Sequence, residues 1–136
     1  MVTQIEITLR ARSKGFHLIT DDVLDKLGEL PGKGLLNVFI LHTSAALSVN
    51  ENADATVRED LDLAFDHIAP ASRPFYKHTI EGPDDMPAHI KSVLVGSSIS
   101  VPIQNHRLRL GTWQGIYLCE FRENAPSRKL VVTVLS

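Results

Sequence analysis

Apolar and polar residues alternate along 3–11, with Ile5, Ile7 and Leu9 on one side and Glu6, Thr8 and Arg10 on the other. That period of two predicts a half-buried strand. Gly15 marks a turn before a short second strand at 16–19. Thr20 is the expected N-cap of a first helix, with Asp21 and Asp22 where carboxylates suit the helix dipole. Val23, Leu24, Leu27 and Leu30 form its apolar face, and Pro31-Gly32 ends it. The run Leu35 to Leu41 reads as a buried strand delivering His42, Thr43 and Ser44 at its carboxyl end. Asn50 to Asp54 then leads into a second helix whose stripe is Val57, Leu61, Ala64, Phe65 and Ile68.

Residues 69–86 read as a long irregular loop, a length often associated with function. Pro87 suits the first position of a third, short helix, with Asp85 as its cap and Gly96 as its stop. The remainder is strand-rich. Ile99, Val101 and Ile103 alternate with polar residues, Gln104-Asn105-His106 reads as a hairpin turn, and 116–122 and 129–135 look like strands buried on both faces. The predicted order is β-β-α-β-α-loop-α-β-β-β-β. It points to one α+β domain over 1–136, a layered mixed or antiparallel sheet with two to three helices.

Composition narrows the classes. The 136 residues suit a single domain, and 43% hydrophobic with 22% charged residues is ordinary for a globular one. Net charge is −2 with the signs interspersed, so no basic footprint for nucleic acid is present. No apolar run approaches the roughly 18 residues of a membrane span. The start of the chain lacks the pattern of a secretory signal, so a reducing cytoplasm is expected. Cys119 is the single cysteine and reads as an inert buried thiol.

Three groups of polar residues carry candidate chemistry. His42, His78 and His89 come from three segments; three imidazoles with an open position make a zinc-type site, and unrelated hydrogen-bonded histidines are the alternative. Spacing alone leaves both readings open and favours the second. Asn50-Glu51-Asn52-Ala53-Asp54 is either a capped helix start or a set of site carboxylates. Glu120, inside an apolar strand, must be paired with Arg122 or Arg128, or face a polar cavity. Gly111-Thr112-Trp113-Gln114-Gly115 is either a tight bulge or a backbone-lined anion site beside an aromatic.

Four segments, His42 to Leu47, Asn50 to Asp54, Glu81 to Lys91 and Leu110 to Ile116, together closely resemble the YjbQ-like family. These are small uncharacterised proteins often named secondary thiamine-phosphate synthase. The resemblance spans essentially the whole chain. It implies an α/β-layered homotrimer with a polar cluster near the subunit boundary that takes metal or anions. It implies His42, His78 and His89 as metal ligands, for a divalent ion with zinc favoured over magnesium. Glu51, Asp54 and Glu120 become candidate catalytic groups. Ser44, Asn52, Lys91, Thr112, Trp113 and Gln114 become candidate contacts to a small phosphorylated or anionic ligand.

The activity implied joins a pyrimidine diphosphate to a thiazole phosphate and releases pyrophosphate. Such a reaction needs a cation or basic groups on the leaving pyrophosphate. A histidine triad suits zinc rather than the magnesium usual for that task, which marks the synthase activity as incidental. A non-catalytic metal- or anion-binding trimer and a trimer whose polar cluster is only an interface network are the rival readings. One departure stands out: His106 replaces the glycine usual in the turn before Leu108. It puts the hairpin geometry in question and offers an extra imidazole near the mouth of the site.

Overall fold

The computed structural model describes residues 1–136. The chain folds as β1 (Val2–Leu9), β2 (Gly15–Leu18), α1 (Thr20–Leu24), β3 (Lys33–Ile40), β4 (Ala45–Glu51), α2 (Ala55–Ile68), α3 (Asp85–Val95), β5 (Ser98–Gln104), β6 (Arg107–Leu108), β7 (Gln114–Glu120) and β8 (Arg128–Leu135). Two sheets form, in the orders β1-β8-β3-β5-β6 and β2-β7-β4. Every strand pair is antiparallel. The expected α+β architecture is therefore present, with antiparallel rather than mixed sheets.

The alternation in β1 does what its period dictates. Ile7 and Leu9 point inward to join Leu36, Val38 and Ile40 of β3 and Leu130, Val132 and Val134 of β8 in the main core. Ile116 and Leu118 of β7 close that core from the second sheet. On β7's other side, Tyr117, Cys119 and Phe121 pack with Phe16, Ala46 and Ala88 in a second cluster. β7 is thus buried on both faces, as its continuous apolar run predicts. No helix is long and apolar enough to cross a membrane.

Three local expectations are corrected. Residues 45–51 form β4, a full strand paired with β7 from Ala45↔Glu120 to Glu51↔Gln114. Its Ala45 and Ala46 are weak strand formers; Ala45 faces the main core, while Ala46 packs with Ala88 of α3 on the other face. Helix α1 stops at Leu24, and its cap position is Ile19. The Thr20 hydroxyl instead accepts the Ile116 N–H at 2.9 Å, stitching the helix to β7. In α3 the cap position belongs to Asp84, and Pro87 lies third, where its missing N–H still costs nothing. Gly96 ends α3 as expected, with φ at 110°.

The β5–β6 hairpin is intact. Asn105 and His106 both take left-handed backbone, φ 54° and 62°, the requirement of a type I′ turn. His106 offsets part of that strain by donating Nδ1–H to the Leu30 carbonyl at 2.8 Å. It lies at the Lys33–Gln104 end of the β3–β5 pair, whereas α3 delivers its end to the Phe39–Ser98 end. His106 is therefore not at the mouth of the candidate site.

Candidate functional site

Asp85 is the centre of the polar cluster. It is the first residue of α3 and is 1% exposed. One helical turn later His89 projects from the same face, as the i,i+4 spacing requires. His78 reaches in from the long loop. Its Nε2 lies 2.6 Å and His89 Nε2 3.0 Å from the same oxygen, Asp85 Oδ2. The other oxygen, Oδ1, accepts Arg122 Nη1 at 2.5 Å. Arg122 is itself clamped: Nε donates to Asp84 Oδ2 at 3.1 Å and Nη2 to the Glu81 carbonyl at 3.0 Å. Burial works to raise the Asp85 pKa, but the His78 hydrogen bond and the His89 and Arg122 charges outweigh it and hold the carboxyl below its ordinary value.

The tautomer of His89 follows from its other contact. Nδ1 lies 2.9 Å from the Thr43 carbonyl, which can only accept, so Nδ1 carries the proton. In a neutral ring Nε2 then presents a lone pair to an ionised carboxylate. Two arrangements relieve that repulsion: a second proton on the ring, or a cation between the groups.

Of the three histidines expected to share a metal, the structure brings together His78 and His89, with ring centroids 5.2 Å apart. His42 stands apart. Its Nε2 accepts the Lys129 N–H at 2.8 Å, which leaves the proton on Nδ1. Burial and the nearby Arg128 charge hold its pKa below the usual imidazole value, and its Nε2 is engaged by the backbone of β8, apart from the other two rings. Asp85 takes the third place. Its signal in the sequence was the Asp-x-x-x-His spacing to His89, which reads equally well as a helix cap.

Glu120 resolves as an ion pair. It is fully buried, and Arg128 holds both oxygens, Nε to Oε1 at 2.7 Å and Nη2 to Oε2 at 2.5 Å. The Arg122 N–H adds a bond at 3.2 Å, and Ser44 Oγ accepts from Arg128 at 3.1 Å. Glu120 and Ser44 thus position the chain at Arg122; neither is free to act on a ligand. Lys91 is buried over the Phe121 ring with its ammonium 2.7 Å from Asp66. It lines a cavity of about 290 Å³ together with Lys14, Asp66, Asp84 and Glu123.

The remaining expected residues form a second, separate group. Ser44 and Glu120 lie at the start of β4 and the end of β7; Glu51 and Gln114 lie at the opposite end of the same pair. Seven residues of strand separate these ends by ~20 Å. There Glu51 accepts the Ala53 and Asp54 N–H groups, and Asp54 caps α2 through the Thr56 N–H at 2.9 Å. Asn52 bonds the Thr112 and Gln114 carbonyls, and Gln114 Oε1 accepts the Gly111 N–H at 2.7 Å. At Gly115 an added Cβ would sit 2.7 Å from Leu18 Cδ2 and 3.2 Å from Asn52 Cβ, so a side chain there would have to displace Leu18. The tight-bulge and helix-cap readings describe this region; within one chain it does not join the histidines. Trp113 is largely exposed.

The donor set of His78, Asp85 and His89 is compact, with ligand atoms all within 4.8 Å of one another. Two imidazole nitrogens and one carboxylate oxygen suit zinc or a similar divalent ion. His78 also lines an open cavity of about 320 Å³ with Arg73, Tyr76, Thr79 and Met86.

Comparison with known proteins agrees with this architecture. The profile of the family described as UPF0047 protein YjbQ-like matches residues 4–136. The UPF0047 protein YjbQ of Salmonella typhimurium is 49% identical over 133 residues, covering 96% of each chain. UPF0047 protein YugU of Bacillus subtilis is 39% identical over 118 residues, covering 87% of this chain and 86% of its own. A crystal structure of a conserved hypothetical protein from Thermus thermophilus superposes with a TM-score of 0.83 at 36% identity, covering 94% of this chain and 97% of that one. A YbjQ-like protein of unknown function from Sulfolobus solfataricus gives 0.85 at 27% identity, covering 100% and 98%.

Proposed function

This chain belongs to the UPF0047 YjbQ-like family, whose function is uncharacterised, and on that footing we propose that it is a small divalent-cation-dependent enzyme acting on an anionic or phosphorylated substrate. The observation that carries this reading is the convergence of His78 and His89 on one oxygen of a buried aspartate. His78, Asp85 and His89 would hold the ion, which would supply Lewis acidity to a bound anion or water. Zinc suits this donor set better than magnesium, which prefers oxygen ligands and keeps several waters.

The surrounding residues supply the order such a centre needs. Arg122 fixes Asp85 through Oδ1 and leaves Oδ2 toward the imidazoles. The Thr43 carbonyl fixes the His89 ring with Nε2 inward, the outer-shell contact that orients a ligating histidine. The Glu120–Arg128 pair anchors the strand ends from which Ser44 and Arg122 depart. Arg73, on the wall of the cavity that His78 lines, enters no ion pair within the chain and is placed to meet a negatively charged substrate.

Thiamine-phosphate formation is the first reaction to assay, since the family resemblance implies it. We read the working molecule as a homotrimer in a reducing cytoplasm. Exposed Phe39 on β3, Leu41 just beyond it, and Val93 and Leu94 on α3 support association, and the unpaired buried Cys119 suits a reducing compartment. The test is zinc titration with a parallel assay of pyrophosphate release from a pyrimidine diphosphate and a thiazole phosphate, with solution mass recorded. We expect one zinc per chain, lost in both His78→Ala and His89→Ala, and retained in His42→Ala. Full zinc uptake by the His89 variant would overturn the reading.

A further inference from the structure

Arg58 is half-buried and differs from the buried cations Arg12, Lys91 and Arg128, each of which has a carboxylate partner. Its Nη1 is the one buried side-chain polar atom without a hydrogen-bond partner. No ion pair includes it. The acids around it are engaged elsewhere: Glu51 with the Ala53 and Asp54 N–H groups, Asp54 with Thr56, and Asp62 with Lys14 at 2.8 Å. A guanidinium stays charged at any ordinary pH, and a buried charged donor without a partner is costly. Asp54 feels the Arg58 charge and the Tyr117 hydroxyl lies beside the guanidinium, but no carboxylate of the chain bonds to it and Nη1 is left for a partner from outside.

A space for that partner lies beside the side chain. A cavity of about 280 Å³ between β2 and α2 is lined by Arg58, Lys14, His17 and Ala55, with the carboxylates of Glu59 and Asp62 also on its wall. One water occupies about 30 Å³ of liquid, so the cavity admits a larger occupant, and water would satisfy a donor without balancing its charge. We propose that this cavity binds a small oxyanion, a carboxylate or phosphate group, on the Arg58 guanidinium. A guanidinium fork matches both chemistries. Lys14 is already neutralised by Asp62 and Asp66, so Arg58 carries the recognition. The Glu59 and Asp62 carboxylates oppose high negative charge, so the ligand presents a single anionic group toward Arg58. None of His78, Asp85 and His89 lines this cavity, and the proposal stands independently of the metal centre.

The test is a titration of the full chain with inorganic phosphate and, separately, acetate at constant ionic strength, followed by the side-chain Nε–H resonance of Arg58 in nitrogen-15 NMR. The resonance is assigned by its loss in Arg58→Gln. Saturable movement is expected, with phosphate and acetate distinguishing the two sources of the oxyanion. Arg58→Gln should weaken binding roughly ten- to hundredfold, the scale of one charge-assisted hydrogen bond. Glu59→Gln, an exposed change that leaves the fold intact, should tighten it. An Arg58 resonance unmoved by either anion, or affinity unchanged in Glu59→Gln and Arg58→Gln alike, would overturn the proposal.

Discussion

Replacing Arg128 by methionine isolates the ion pair beneath the site. In the native chain Glu120 is fully buried and Arg128 is 3% exposed. Two bonds of 2.7 and 2.5 Å join them, and Ser44 takes a third at 3.1 Å. Arg128→Met fills similar volume but leaves a carboxylate in the core with one remaining donor, the Arg122 N–H. Breaking a buried pair from one side costs ~3–5 kcal/mol, because the surviving charge is uncompensated. That is a large share of the ~5–15 kcal/mol by which a domain is stable. With a urea m-value of about 2 kcal/mol/M, the midpoint should fall by ~1.5–2.5 M.

The companion variant decides whether charge is responsible. Glu120→Leu with Arg128→Met removes both charges, and such replacements are often neutral or stabilising. Here the Arg122 N–H and the Ser44 hydroxyl lose partners, at ~1–3 kcal/mol together. The double variant should therefore be more stable than either single one. The assay is urea unfolding by circular dichroism at fixed protein concentration, since any association would couple to stability. A loss below about 1 kcal/mol for Arg128→Met, or a double variant as unstable as the two single losses summed, would refute the reasoning.

Acid should destabilise the chain partly through Asp85. Its native pKa is held below the ordinary aspartate value, so on acidification the unfolded chain binds a proton before the native one does. That contribution is present above about pH 4 and is lost as pH falls through the lowered native value; Asp85→Asn should flatten this part of the stability–pH curve, and an unchanged slope would count against it. Gly34→Ala places a Cβ 2.2 Å from the Leu135 carbonyl oxygen and must push β3 from β8; thermal unfolding should show a loss of ~1–3 kcal/mol. Burial pushes the Cys119 thiol up to about 12. Ellman's reagent at pH 8 should leave the native chain unlabelled and label it on unfolding.

The elements most legible in the sequence were those whose pattern has one solution. The alternation of β1, the stripe of α2 and the apolar runs of β7 and β8 each fix a face. Strand β4 escaped because Ala45-Ala46 carries neither alternation nor strand propensity; its place is set by α3 packing across it. The site was half legible. His78 and His89 were paired correctly with each other, but Asp85 at a helix start has two equally good local readings. Only the arrival of Arg122 from the end of β7 distinguishes a hub from a cap. His42 was expected beside them; a histidine at a strand end looks free in the sequence, whereas the fold brings the Lys129 N–H across the sheet to its Nε2. The Asn50–Asp54 and Gly111–Gly115 segments do meet, yet as partners in one turn ~20 Å from the histidines, since β4 and β7 run their whole length between.

His78, Asp85 and His89 are proposed here as a divalent-cation centre. X-ray absorption at the zinc edge of the zinc-loaded protein tests it most directly. Two imidazole nitrogens and a carboxylate oxygen are expected at about 2.0–2.2 Å, with the imidazole signal reduced by one in His89→Ala and unchanged in His42→Ala. A shell without imidazole scattering, or one that loses a histidine only when His42 is replaced, would contradict it.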